Sequence, residues 1–146
     1  MPKTYKAQVD GVTRIIPPTV AILVVKNGKV SVSYRLKAKK LVGFWQFAGG
    51  KMEPNEDPLV AAWRELKEET GLVLHRSRFT KLDQDVRSWK YPYVGHTYVV
   101  HLRKDEEPAN PEPDKHTDWS WVTPKEARTI GLIPGTELYL EQVFTE

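Results

Sequence analysis

The sequence predicts an α+β fold or a mixed sandwich, and three observations predict it. β-rich runs and helical patterns follow one another without the strict alternation that builds a doubly wound parallel sheet. The pair Asn27-Gly28 stands between two apolar runs, the mark of an antiparallel hairpin. One segment, near residues 58–70, carries helix signals at both of its ends. The 146 residues are 40% hydrophobic and 28% charged and include five Trp, six Tyr and four Phe. That composition suits one continuous domain, residues 1–146, and excludes disorder for most of it.

Each element has its own reason. Thr19 to Val25 is β-rich, and Lys29 to Arg35 alternates Val30, Val32 and Tyr34 against Ser31, Ser33 and Arg35, so the two should pair as antiparallel strands across Asn27-Gly28. Phe44 to Phe47 is a short aromatic strand. It runs into Gly49-Gly50, where a tight loop is expected because glycine takes dihedrals closed to other residues. Asp57 then offers an N-cap, Pro58 fits the first helical position, and Gly71 stands where a left-handed C-terminal residue belongs. Phe79 to Val86 and Thr97 to Leu102 look like strands, residues 105–115 form a polar loop with prolines, and Asp118 to Val122 is a further short strand. Thr123-Pro124-Lys125-Glu126 has the spacing of a capping box and should start a short helix, and a last helix is expected between Thr136 and Phe144.

Several function classes fall away on composition. The longest uncharged apolar stretch, Ile15 to Val25, contains Pro17-Pro18 and is far short of the roughly 20 residues a bilayer-spanning helix needs. The N-terminus lacks an apolar core of the secretory kind, so a cytoplasmic location is expected. With no Cys, thiolate zinc sites, disulfides and cysteine nucleophiles are excluded, and any chemistry must use oxygen and nitrogen groups. The net charge of +3 is unevenly spread: residues 1–49 carry nine Lys or Arg and one acid, whereas residues 51–70 carry three bases and six acids. Within the basic third, Arg35, Lys37, Lys39 and Lys40 make either a solvated loop or an attraction for phosphate.

The acidic segment is the most informative. At about 100° per residue, Glu65, Glu68 and Glu69 fall together on one side of the 58–70 helix, while Leu59, Ala62, Trp63 and Leu66 fall on another. Like charges at i, i+3 and i+4 destabilise a helix by a few tenths of a kcal/mol per pair. Either neighbouring Arg64 and Lys67 offset that on a solvated face, or the carboxylates hold hard divalent cations, which prefer oxygen ligands.

The spacing settles on a known pattern. Gly50, five residues, Glu56, seven residues, then Arg64-Glu65-Leu66-Lys67-Glu68-Glu69-Thr70-Gly71-Leu72 matches the Nudix box at every specified position. Seven fixed letters match by accident on the order of once in 10⁸ starting points at residue frequencies of about 7%. The setting is also similar to that of Nudix hydrolases: a hairpin and Arg35 before the box, Gly43-Phe44-Trp45 leading into it, and Trp119-Ser120-Trp121 ahead of a short helix after it. Ala48 stands where many relatives have Pro, and Asn55 where many have Gly.

The resemblance implies a Nudix-type α/β/α sandwich around a mixed β-sheet, and Mg²⁺-dependent hydrolysis of a nucleoside diphosphate linked to another group, with Mn²⁺ as an alternative ion. It implies a catalytic set of Arg64, Glu65, Glu68 and Glu69, in which Arg64 pairs with Glu56 to brace the loop. Glu68, Glu69 and the Gly49 carbonyl would hold metal, and Glu65 would be a ligand or the base. Arg35, with a planar fork suited to phosphate oxygens, is the candidate clamp. Trp45 and Gly50 complete the candidate substrate contacts; Trp45, Tyr91 and Tyr93 either stack on a base or belong to the core, where aromatics beside a sheet are more often found. His116 stands out because it lies among Glu112, Asp114 and Asp118 in a loop, a region from which relatives often bring another carboxylate to the metals; the alternative is a solvated loop. His75, His96 and His101 show no metal spacing. The expected reaction splits a nucleoside triphosphate, ordinary or oxidised, into monophosphate and pyrophosphate. The alternatives are a nucleoside diphosphate sugar or ADP-ribose hydrolase, or a non-catalytic nucleotide sensor. A nucleotide is the expected partner, with no membrane and no stable nucleic-acid partner, and the chain is expected as a monomer or homodimer.

Overall fold

The computed structural model describes residues 5–9, 12–16, 18–37, 42–82, 94–133 and 135–144, with side chains described for 18–37, 42–82, 95–133 and 135–144. A central strand organises the sheet. Strand β3 (Pro18–Lys26) is flanked by β8 (Val94–His101) in parallel and by β6 (Ala48–Lys51) in antiparallel pairing. At its far end β3 turns through Asn27 and Gly28, both at positive φ, into β4 (Lys29–Tyr34), the hairpin expected from the sequence. Strand β4 pairs in turn with β5 (Trp45–Gln46) and β9 (Ser120–Val122), and β7 (Thr80–Lys81) borders β8. The sheet is therefore mixed, as an α+β fold requires.

Because side chains alternate along a strand, β3 feeds two cores at once. Val20, Ile22 and Val24 join Ala61, Ala62 and Leu66 of helix α1 (Pro58–Thr70) on one face. Leu23 and Val25 join Val30, Val32, Ala127 of α2 (Pro124–Ala127) and Tyr139 and Leu140 of α3 (Leu138–Val143) on the other. This gives helices on both faces of the sheet. Among the described residues, no helix is long and apolar enough to cross a membrane.

Helix α1 has the bounds its end signals predict. The Asp57 carboxylate accepts from the Leu59 amide at 3.1 Å, Pro58 takes the first turn, and Gly71, at φ 75°, donates its N–H to the Lys67 carbonyl at 2.9 Å. Thr123 and Glu126 form the reciprocal capping box that starts α2. Asn55 adopts φ 63°, so it makes the left-handed turn that Gly would make.

Three expectations need correction. Gly49-Gly50 does not open a tight loop: it lies inside β6, paired with Ala21 and Val20 of β3, and Ala48 before it pairs with Ile22. The strand expected over Phe79–Val86 is confined among the described residues to Thr80–Lys81, after a 3₁₀ turn at Arg76–Arg78; residues 83–86 lie outside them, as do Lys39, Lys40, Tyr91 and Tyr93. Strand β8 begins at Val94, three residues before the expected start at Thr97, because pairing with β3 extends it past the reach of its own apolar pattern. A further hairpin, β1 (Tyr5–Val9) with β2 (Val12–Ile16), was not anticipated, although Asp10-Gly11 is a turn dipeptide of the same kind as Asn27-Gly28.

Candidate active site

The site is built where α1 crosses β6. The two strands β3 and β6 approach so closely at Gly49 that a Cβ there would lie 2.1 Å from the Val20 carbonyl oxygen and 2.9 Å from the Ala21 Cα. At Gly50 a Cβ would lie 2.6 Å from the carboxyl of Glu65. The glycine pair thus serves two close approaches, one to backbone and one to a carboxylate, and this brings the acidic side of α1 directly onto the strand.

The three helix carboxylates have different surroundings. Glu69 is buried, 7% exposed, and its Oε1 accepts the Gly49 N–H at 2.6 Å. Burial raises its pKa to about 8; the Gly49 hydrogen bond opposes this, the charges of Glu65 and Glu112 reinforce it, and Arg35 opposes it. Burial also raises the pKa of Glu65, against the pull of its hydrogen bond from Arg64, and the charges of Glu68 and Glu112 add to the rise. Glu68 is half exposed and reaches Arg64 at 3.2 Å. The helix face read as acidic is therefore graded from open to enclosed.

Arg64 braces the cluster. Its fork holds Glu56 through two bonds of 2.8 Å, Glu65 at 2.9 Å and the Lys51 carbonyl at 3.1 Å. The paired guanidinium lowers the pKa of Glu56. Both the Glu56 pair and the placing of Glu65 and Glu68 beside a cation follow from one planar side chain.

The loop from Arg103 to Asp118 supplies the other wall. It is tied to α1 by the Ala109 N–H on the Thr70 carbonyl at 2.7 Å and by the Trp119 indole N–H on the Glu69 carbonyl at 3.1 Å. Its later part runs beside the end of β4: Thr117 and Tyr34 exchange bonds of 2.9 and 3.0 Å, the Leu36 N–H donates to the Lys115 carbonyl at 2.8 Å, and Arg35 bridges to His116. An Asn110 side chain inside the loop accepts from the Glu112 N–H and donates to the His116 carbonyl. These bonds converge Glu112 and His116 on Glu69, so that one donor atom from each lies within 4.8 Å of the others. Asp114 and Asp118 remain exposed, and Asp118 accepts a bond from Asn110 at 3.3 Å. The donor set of two carboxylates and an imidazole in a partly enclosed corner fits a divalent cation.

Arg35 donates to the Gln46 Oε1 at 2.6 Å; burial lowers its pKa and the charge of Glu69 opposes that, which puts the guanidinium in electrostatic reach of the carboxylates. Trp45 stands in β5, meets Tyr34 edge-on with ring centres 5.4 Å apart and packs half-buried against the second core. His96 and His101 lie on β8 at opposite parities, with His96 beside Lys81, and His75 caps the 3₁₀ turn through its ring nitrogen. None of the three joins the cluster. Glu112 and His116 were visible in sequence only as part of a mixed acidic loop; no spacing rule singles them out from Asp114 and Asp118.

Residues 16–142 match the NUDIX domain. The chain belongs to the Nudix family. It is 29% identical to the CTP pyrophosphohydrolase of Escherichia coli over 125 residues, which cover 84% of this chain and 87% of that protein. It is 32% identical to an RNA pyrophosphohydrolase of Bartonella henselae over 133 residues, 71% of this chain and 74% of the relative. A solved MutT NUDIX hydrolase from Burkholderia pseudomallei superposes with a TM-score of 0.74 at 28% identity, covering 88% of this chain and 98% of that one. Gly50 on β6, Glu56, and Arg64, Glu65, Glu68 and Glu69 on α1 are positions at which this chain matches the Nudix box.

Proposed function

We propose that this Nudix hydrolase cleaves a nucleoside triphosphate, ordinary or oxidised, to the monophosphate and pyrophosphate, with Mg²⁺ as its ion. The observation that carries the reading is the seating of Glu65 against Gly50 and of Glu69 on the Gly49 N–H, which gathers the box carboxylates around one short strand. The relative named for CTP, matched over most of both chains, favours a triphosphate.

A bound Mg²⁺ would neutralise the diphosphate oxygens and lower the pKa of water at the site. Glu68, Glu69 and the Gly49 carbonyl would hold the ion. Arg64 keeps Glu65 and Glu68 from splaying apart. Arg35 clamps a phosphate with its fork and orients the chain of phosphates along the sheet end. Glu65 takes the proton from the attacking water, and the rise of its pKa on burial makes it a stronger base than an ordinary carboxylate. The water oxygen bonds to the α- or the β-phosphorus, the bond from that phosphorus to the α–β bridging oxygen breaks, and the leaving group, pyrophosphate or the nucleoside monophosphate respectively, keeps the bridging oxygen.

Incubation with Mg²⁺ and a panel of nucleoside triphosphates, oxidised triphosphates, nucleoside diphosphate sugars, ADP-ribose and triphosphorylated RNA, read by mass of the products, tests the proposal. Pyrophosphate release from a free triphosphate is expected. Sugar phosphate release in preference would transfer the site to a diphosphate sugar, and binding without turnover would make it a sensor.

A further inference from the structure

The loop wall contains a nitrogen that the hydrolytic reading leaves without work. His116 is 2% exposed and its Nε2 has no hydrogen-bond partner, which is costly for a buried polar atom. Its other ring nitrogen, Nδ1, sits 2.9 Å from the Thr117 carbonyl. A carbonyl only accepts, so Nδ1 carries the hydrogen and, in the neutral ring, Nε2 carries the lone pair. That lone pair faces the Glu69 Oε2 at 3.7 Å, too long for a hydrogen bond. No hydrogen bond spans the gap between these two atoms, and donors of one ion, each about 2.1 Å from it, stand apart by about this much. The Trp119 ring, 5.1 Å from the imidazole, and the Asn110 bond to the His116 carbonyl hold the ring in place. An imidazole fixed through one nitrogen on a backbone carbonyl, with the other nitrogen bare, is the arrangement of a metal-ligating histidine.

We infer that His116 Nε2, with Glu69 and Glu112, ligates a divalent cation of the first transition row, so that this corner prefers such an ion to Mg²⁺. The inference rests on the reading that Glu69 holds a cation. Mg²⁺ takes oxygen donors, whereas a nitrogen donor strengthens binding along the first transition row. Glu69 is then shared, with Oε1 on the Gly49 N–H and Oε2 turned to the loop ion.

Mn²⁺ alone, added to the nucleotide-free protein, is the probe. Pulsed EPR of the wild type should show the coupling of a directly bound ¹⁴N, lost in His116→Gln. The Mn²⁺ dissociation constant should rise at least tenfold in that variant, while the Mg²⁺ constant, read by competition, changes less than threefold. Glu112→Gln should weaken Mn²⁺ binding and keep the nitrogen coupling. If His116→Gln melts early, the wild-type spectrum decides by itself. Bound Mn²⁺ with no nitrogen coupling, an unchanged Mn²⁺ constant in a folded His116→Gln, or no Mn²⁺ binding overturns the inference. Nucleotide hydrolysis that persists in any of those cases leaves the hydrolase reading standing, whereas loss of all turnover in the wild type removes that reading instead.

Discussion

At the scale of single residues, Glu69 is where strand, helix and loop meet. It accepts from Gly49 through one oxygen and faces His116 with the other, while the Trp119 indole is bonded to its carbonyl. Glu69→Gln keeps the shape and the Gly49 hydrogen bond but removes the carboxylate proposed to hold an ion, so it should fold with a near-wild-type melting temperature and lose turnover by several orders of magnitude; steady-state kinetics beside a thermal melt check both. Arg35→Ala should raise KM by roughly ten- to hundredfold, the loss expected for a hydrogen-bonded charge, with kcat changed far less. The candidate carboxylates and their spacing were readable in the sequence because Glu65, Glu68 and Glu69 come from one helix. His116 stood out among the histidines for its acidic neighbours, but Glu112 was not separable from Asp114 and Asp118, because what separates them is the direction of a loop, set by bonds to Tyr34, Leu36 and Thr70 far away in the chain.

At the scale of elements, α1 was legible to the residue. Its cap, its proline, its terminal glycine and its apolar side all act locally, and local signals survive in sequence. The buried side can be tested: Leu66, fully enclosed, should cost about 2 to 5 kcal/mol as Leu66→Ala, measured by denaturant unfolding. Strand β6 was misread as a loop because two glycines weaken a strand signal, and the reason for them is tertiary. That reason separates the pair. Gly49→Ala drives a Cβ into fixed backbone and should destabilise by roughly 3 kcal/mol. Gly50→Ala meets only the end of a side chain, so stability should hardly change, but the Glu65 carboxyl is pushed off the strand and activity falls. A comparison of unfolding and turnover for the two variants reads this contrast.

At the scale of the whole molecule, the mixed sheet with helices on both faces agrees with the sequence expectation, and what sequence left out is the tethering of the long 103–118 loop. One tether is electrostatic. Arg78 holds Glu106 through bonds of 2.5 and 2.6 Å, and the Arg103 N–H adds another at 2.7 Å; with the Arg78 bond as the main cause, the Glu106 pKa falls to about 2. A carboxyl depressed in the folded state adds stability above its unfolded value, and that share is lost as pH falls from about 4.5 to about 2. Glu106→Gln should therefore lower the melting temperature at pH 7 and flatten its dependence on pH in that acidic window, as a pH series of thermal melts would record.

The most direct measurement is a crystal structure of the protein soaked with Mg²⁺ and a non-hydrolysable nucleoside triphosphate analogue. Ion density coordinated by Glu68 and Glu69, with Glu65 facing a water at the phosphates and Arg35 on a phosphate oxygen, is the predicted result. Box carboxylates turned to solvent with no ion beside them, and phosphates bound elsewhere on the surface, would contradict it.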